Sequence, residues 1–292
     1  MSPPRLENRL PPEDLLERDE HPLRELAWLL AASLATLAVL VLATGFVARW
    51  LAPQLPFEHE LALAERVFDE APAADAATRE RRAALQALAE RVAATMALPP
   101  GMRVVVSDEP SEGINAYATV GGRIRVFHGL LRQLDSEEAL AALLAHEIAH
   151  VKHRHVAAGM GHGLAVVLVM AVVTPEGAAQ AAQGLLGGAA QLGLLGYSRE
   201  AERQADAEAL AASLALYGHG GGLARLFAVL PQTDAPAGTA WLRSHPDTAE
   251  RLALLEAAAA ARGATLAGPA TPLPQALQMP APARTPAPPS AP

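Results

Sequence analysis

Residues 26–48, "LAWLLAASLATLAVLVLATGFVA", contain no charged side chain. As a helix rising about 1.5 Å per residue, this stretch is roughly 34 Å long, enough to cross the hydrocarbon core of a bilayer. Trp28 and Trp50 stand at its two ends, where amphipathic aromatic rings favour the headgroup zone. A buried core helix is the competing reading, but few core helices stay apolar for so long. The lead-in at 1–25 is long, acidic and broken by Pro3, Pro4, Pro11 and Pro12, and no small-x-small cleavage site follows the run. These features speak for an uncleaved anchor behind a disordered polar tail rather than a removed signal peptide. Arg9, Arg18 and Arg24 precede the span and Arg49 and Arg66 follow it. That slight excess places the N-terminus in the cytoplasm and exports the main domain, as in a single-pass protein of a bacterial-type inner membrane with a periplasmic domain.

Beyond a linker at 49–59, the chain is helix-prone. Its residues are 51% hydrophobic but only 4% aromatic, and alanine and leucine, which lead the helix propensity scale, dominate. The formal charge of -8 and the lack of a basic stripe with interleaved aromatics exclude a general attraction to nucleic acid. With no cysteine, disulfides, thiolate nucleophiles and cysteine-based zinc sites are excluded, so a metal site must be built from His, Asp and Glu.

The stretch "RRAALQALAERVAATMAL" reads as an amphipathic helix stopped by Pro99, Pro100 and Gly101. Residues 102–108 read as a strand. "NAYATVGGRIRVFHG" reads as two short strands turned at Gly121 and Gly122. A long helix follows, capped by Asp135 or Ser136, with Glu137 and Glu138 at its positive end. Two further uncharged stretches, 156–175 and 177–198, could each span a membrane by length. The second is rich in glycine and carries Gln180, Gln183 and Gln191, which favours a helical hairpin outside the lipid. Residues 263–292 are rich in Pro and Ala, with Arg284 their one charge, and read as a tail without a core.

His146-Glu147-Ile148-Ala149-His150 is H-E-x-x-H. On a helix, residues four apart lie about 40° and about 6 Å from one another, so both imidazoles can reach one zinc ion. Glu147 points about 100° away from His146, beside the metal, where a carboxylate could take a proton from water. Chance alone gives such a pattern roughly 0.03 times in a chain of this composition, so a polar histidine pair on a helix surface remains the alternative. The apolar flanks in "LAALLAHEIAHV" imply burial, and a buried unpaired Glu147 is costly. A catalytic zinc site takes three protein ligands; here the third is His, Glu or Asp. His153 and His155, with Lys152 and Arg154, read as the polar end of the motif helix. His128, His162 and His219 have no partner at ligand spacing and read as structural. Arg199 and Tyr217 fit either a charge-stabilising or a structural role.

Downstream, "YSREAERQAD" supplies Ser198, Arg199, Glu202, Ala205 and Asp206 in the pattern S-R-x-x-E-x-x-A-D. Together with H-E-x-x-H this resembles the HtpX-like zinc metallopeptidases, a gluzincin-type family that includes the CAAX prenyl endopeptidases. The resemblance covers roughly 60–260. It implies one Zn²⁺ per chain, with Glu202 as the third ligand beside His146 and His150, and Asp206 as the acceptor that orients a ligand histidine. It also implies that Glu147 is the general base. "NAYATVGGRIRVFHGLL" is similar to the family's edge-strand segment, so Asn115, Ala116 and Tyr117 would bind substrate backbone by strand addition. "SHPDTAERLALL" resembles its H-P-x-x-x-x-R-I segment and makes His245 a candidate to approach the metal or the oxyanion.

The expected architecture is a mainly α, zincin-like metallopeptidase domain at 60–262 with a small antiparallel sheet, tethered by one N-terminal transmembrane helix. The expected function is zinc-dependent endoproteolysis of unfolded or flexible segments in membrane or envelope quality control. Its partners are then polypeptide substrates and membrane lipid, and not nucleic acid. The rival reading is a zinc-stabilised chaperone or assembly factor that binds exposed strands without cutting them.

Overall fold

The computed structural model describes residues 22–51, 54, 56–67, 73, 75–159, 197–230, 245 and 248–280. The expected polar tail up to residue 21, nearly all of the two uncharged stretches (160–196) and the last twelve positions (281–292) lie outside the described residues.

Helix α1 spans Pro22–Leu51. Its 26-residue segment Pro22–Val47 is long and apolar enough to cross a membrane, and its most apolar window buries none of its surface within the protein. Leu29, Leu34, Leu42 and Phe46 are exposed along it, as a lipid-facing helix requires and a core helix does not. Helix α2, Phe57–Val67, begins inside the stretch expected to be linker.

Helix α3, Ala76–Thr95, is capped by Asp75, whose side chain accepts from the Thr78 backbone N–H. It buries Leu85, Leu88, Ala89 and Val92, the i, i+3, i+4, i+7 stripe of an amphipathic helix. Strand β1 is Val105–Glu109, β2 is Ala116–Thr119 and β3 is Arg123–Phe127. β2 and β3 form the expected antiparallel hairpin, with Ala118 opposite Ile124. The sheet as a whole is mixed rather than antiparallel, because β1 runs parallel to β3 in the order β1-β3-β2. The tight 3-10 turn Val120–Gly122 needs its glycines: Gly121 and Gly122 have φ of 72° and 70°, and a Cβ on Gly122 would lie 2.1 Å from the Arg103 carbonyl oxygen.

After the short helix α4, His128–Gln133, comes the central element α5, Glu137–Lys152. Ser136 caps it by accepting from the Ala139 N–H, and every residue from Glu138 to Val151 is buried. Such complete burial follows from the sequence: Ala139, Ala141, Ala142, Ala145 and Ala149 let neighbours approach on every side. Helix α6, Arg199–Tyr217, is capped by Ser198 and stopped by Gly218 in the left-handed conformation. It packs along α5, as do α3, strand β2 and helix α7, Gly221–Val229. The contact with α7 is close enough that a Cβ on Gly222 would meet the Glu138 carbonyl oxygen at 2.1 Å. Helix α8, Thr248–Ala261, rests on α6 and α7.

The Pro/Ala-rich segment departs from its expected disorder over residues 264–280. Leu273 and Leu277 are buried, the latter in a 3-10 turn, Gln275–Leu277, packed on α3. The Thr271 N–H and hydroxyl donate to the Glu138 carboxylate at 2.7–3.0 Å, and the Thr271 carbonyl accepts from the Glu137 N–H at 2.8 Å. Composition alone hid two well-spaced leucines and a threonine that matches the acidic start of α5.

Candidate metal centre

The buried middle of α5 presents His146, Glu147 and His150 to the first turns of α6 and to His245, just before α8. The helices are held by the core around Leu140, Leu144, Ile148, Leu210 and Phe227. His146, His150, Glu202 and His245 each offer one donor atom, all within 4.8 Å of one another and all buried. Glu147 is fully buried beside them.

The spacing suits one small cation. Two nitrogens that bind a zinc ion at about 2.05 Å in tetrahedral directions lie roughly 3.3 Å apart. His146 Nε2 lies 3.1 Å from His150 Nε2 and 3.3 Å from His245 Nδ1. Glu202 approaches the same centre, with Oε1 3.4 Å from His150 Nε2 and Oε2 3.6 Å from His146 Nε2. His146 Nδ1 is 3.0 Å from Asp206 Oδ1. It therefore donates its N–H there and turns the Nε2 lone pair inward. Burial pushes His150 well below the usual imidazole range, towards the neutral form a metal ligand needs. Two inward lone pairs 3.1 Å apart call for a cation or a proton between them. Charge counting agrees: with Glu147, Glu202 and Asp206 ionised against Arg251, the buried group carries a formal −2, which a divalent ion cancels. The residues therefore fit a zinc ion.

The carboxyls are not equivalent. Burial works against the charge on Glu202, but His245, His150 and His146 outweigh it and hold this group well below the usual range. Burial also opposes Asp206, which Arg251 and His146 bring down. Glu147 is pushed up by burial, only partly offset by His245 and His146. Among the described residues its two oxygens have no hydrogen-bond partner at ordinary distance; its polar neighbours there are His245 Nε2 at 3.7 Å and the Ala118 backbone. A buried carboxyl without a partner is costly and is poised to exchange a proton with whatever enters.

Ala118 belongs to β2, so that strand runs past Glu147. Ala116 and Tyr117 lie on it and Asn115 precedes it, all three buried. Among the described residues β2 pairs only with β3, and the Asn115 side-chain oxygen has no hydrogen-bond partner.

Of the other sequence candidates, Lys152 forms an ion pair with Glu208 and His153 Nε2 lies 3.1 Å from the same carboxylate, as the polar end of a helix should. His155 differs: it folds back until its Nδ1 is 2.9 Å from His150 Nδ1, and burial takes it down to about 4. His128 pairs with Asp108 at 2.8 Å, and the Tyr217 hydroxyl donates to Glu137 at 3.0 Å. Two neighbours of the centre carry no role in the sequence reading. Tyr197 stacks on His150 with ring centroids 3.8 Å apart, and Arg251 spans Asp206 and Glu202. The second has a signal in the sequence: Arg251 is the arginine of the H-P-x-x-x-x-R segment.

Comparison with known proteins agrees with this geometry. The model of peptidase family M48 matches residues 79–259. The putative beta-barrel assembly-enhancing protease of Vibrio cholerae is 37% identical over 103 residues, covering 32% of this chain and 21% of that protein. The beta-barrel assembly-enhancing protease of Escherichia coli K12 is 32% identical over 106 residues, 33% of this chain and 22% of that protein. The mitochondrial metalloendopeptidase OMA1 of Schizosaccharomyces pombe is 37% identical over 95 residues, 32% of this chain and 27% of that protein. The matched region thus spans between a fifth and about a quarter of these relatives' lengths.

Proposed function

This chain belongs to peptidase family M48, and on that premise we propose that it is a membrane-tethered zinc endopeptidase that cuts unfolded or flexible polypeptide segments. The observation that carries the reading is the convergence of His146, His150 and Glu202 on one point, with the fully buried carboxyl of Glu147 beside it.

His146, His150 and Glu202 would hold the ion, and Asp206 would fix the His146 tautomer. Zinc, when bound, supplies Lewis acidity for a water molecule and for the scissile carbonyl. The protein supplies the proton traffic. The Glu147 carboxylate, whose affinity for a proton burial raises, accepts the proton of the attacking water and passes it to the leaving amine, a role worth typically 10²–10⁴-fold. His245, with Nδ1 turned to the centre and Nε2 towards Glu147, lies where it can hold an oxygen of the reacting carbonyl. Strand β2, which among the described residues pairs only with β3, would offer its other side to an extended peptide, with Asn115, Ala116 and Tyr117 along the contact. Main-chain pairing of this kind selects segments free of other structure.

The apolar α1 supports a single-pass tether, and the arginine balance around it supports an exported, periplasmic-side domain. The beta-barrel assembly-enhancing proteases among the relatives support a role in envelope protein quality control. The proposed organisation is a polar tail at 1–25, the anchor at 26–48, and a peptidase domain at 60–262 extended by the packed 264–280 segment.

The test is a comparison of the full chain in detergent with its Glu147→Gln variant, measuring zinc content and cleavage of unfolded casein with and without a chelator. The expected result is about one zinc in both proteins and chelator-sensitive cleavage in the wild type alone, reduced in the variant by the 10²–10⁴-fold of a lost general base. Equal cleavage by both would refute the mechanism. Zinc in both with cleavage in neither would move the reading to a zinc-stabilised strand-binding factor.

A further inference from the structure

Arg251 lies on α8, 4% exposed, and its guanidinium is held on three sides. Nε and Nη2 donate to the two Asp206 oxygens at 2.8 and 2.7 Å. Nη1 lies 2.6 Å from Glu202 Oε2. Phe227 covers its face, with the guanidinium carbon 5.2 Å from the ring centroid. Asp206 Oδ1, one of the acceptors in that fork, also faces His146 Nδ1. A continuous polar chain thus runs Glu202–Arg251–Asp206–His146 and touches two of the residues that converge on the candidate metal.

The two oxygens of Glu202 are unlike as a result. Both face the centre, Oε1 at 3.4 Å from His150 Nε2 and 3.0 Å from His245 Nδ1, Oε2 at 3.6 Å from His146 Nε2 and 3.1 Å from His245 Nδ1, but it is Oε2 that the buried guanidinium engages, at 2.6 Å. A carboxylate with both oxygens available can chelate one ion through both. A catalytic zinc site depends on the opposite, three protein ligands and one position kept open.

We propose that Arg251 is a positioning residue that makes Glu202 a one-oxygen ligand, by holding Oε2 so that Oε1 alone is presented to the metal. The inference rests on the ligand role proposed above for Glu202 and adds what sets its binding mode. Arginine suits the task because its rigid planar fork reaches two carboxylates at once, whereas the point charge of lysine serves one of them at good geometry. Its place on α8, six positions after His245 in the sequence, ties Glu202 to the helix that begins just past His245.

The experiment uses the full chain in detergent. Zinc X-ray absorption on the wild type should show one short oxygen from Glu202 and no second, longer oxygen from a chelating carboxylate. A chelating carboxylate in the wild type would overturn the proposal without any variant. Arg251→Lys, which keeps the buried charge, should then move the cobalt-substituted visible spectrum towards the weaker bands of a higher coordination number. It should also weaken zinc binding in competition with a chromophoric chelator by the 10–100-fold usual for a lost outer-sphere partner. A folded Arg251→Lys protein with an unchanged cobalt spectrum and zinc affinity within about two-fold, far short of that range, would reduce Arg251 to a buried counter-ion. A wild type that binds neither zinc nor cobalt would instead defeat the ligand reading of Glu202 itself.

Discussion

The docked segment 264–280 makes a prediction that composition alone would deny. Leu277 is fully buried against α3 in a stretch otherwise rich in Pro and Ala. Replacing a buried leucine by alanine costs about 2–5 kcal/mol, depending on how far the site collapses around the lost volume. Here an upper limit applies, because a segment anchored by so few side chains detaches by local opening once it binds too weakly. The cost of Leu277→Ala therefore cannot exceed the docking free energy of the segment, which places it at the low end, about 2–3 kcal/mol. For a domain of roughly 200 residues each kcal/mol moves Tm by about 2–4 °C, so the expected loss is about 4–12 °C. Thermal melting of the full chain in detergent, followed by near-ultraviolet circular dichroism, measures it. Gln275→Ala is the control, since Gln275 is exposed in the same turn and a surface change stays within about 0.5 kcal/mol. Hydrogen exchange adds a local readout: the Thr271 and Glu137 amides, bonded across the junction, should lose protection together in Leu277→Ala. Equal melting of the two variants would show that the segment contributes nothing to the stability of the domain, and the packing argument would fall.

Gly222→Ala should destabilise by about 1–3 kcal/mol or more, the usual cost of overpacking, because the new Cβ would meet the Glu138 carbonyl oxygen at 2.1 Å; urea unfolding with a midpoint like that of the wild type would refute the close α5–α7 contact. Asp108 is a case of acid sensitivity: burial would raise its carboxyl, but hydrogen bonds from His128, Arg81 and Arg82 bring it down to about 2 from an unfolded value of 3.8. The stability it contributes is present above about pH 4 and lost as pH falls towards 2, so the acid limb of unfolding should be shallower in Asp108→Asn, and an unchanged limb would exclude this cluster as a cause of acid denaturation.

Much of the centre was legible because its parts are local. H-E-x-x-H places two imidazoles and a carboxylate by helix geometry alone, and Ser136 and Ser198 announce the helices that carry the ligands. The hairpin was equally plain in Gly121 and Gly122. What escaped is long-range. The pairing of β1 parallel to β3 joins strands separated by the whole of β2, and no local pattern marks it, so the sheet reads as antiparallel when only its hairpin is visible. Arg251 sits 45 positions from Asp206; the H-P-x-x-x-x-R segment marks it, but no local pattern says that it is buried against that carboxylate, and an arginine in a polar helix turn reads as solvated. The 264–280 segment escaped for a third reason. Its order comes from Leu273, Leu277 and Thr271 matching features of α3 and α5, and composition averages such sparse anchors away.

These long-range contacts have a common consequence for how stability and chemistry divide in this chain. The polar chain Glu202–Arg251–Asp206–His146 joins α5, α6 and α8 inside the region shared with family M48. The segment at 264–280 grips the other end of α5, at Glu137 and Glu138, from outside that region. Between Glu138 and His146 lie about two turns of a helix packed on all sides, and local opening of the outer segment leaves those packed turns in place. A change at the outer grip should therefore lower the melting temperature while leaving zinc affinity unchanged, and a change in the polar chain should alter metal binding even where the fold survives. Measuring zinc affinity in Leu277→Ala beside Arg251→Lys separates the two; equal weakening of the metal in both would mean that α5 moves as one rigid lever and that the outer segment is part of the site.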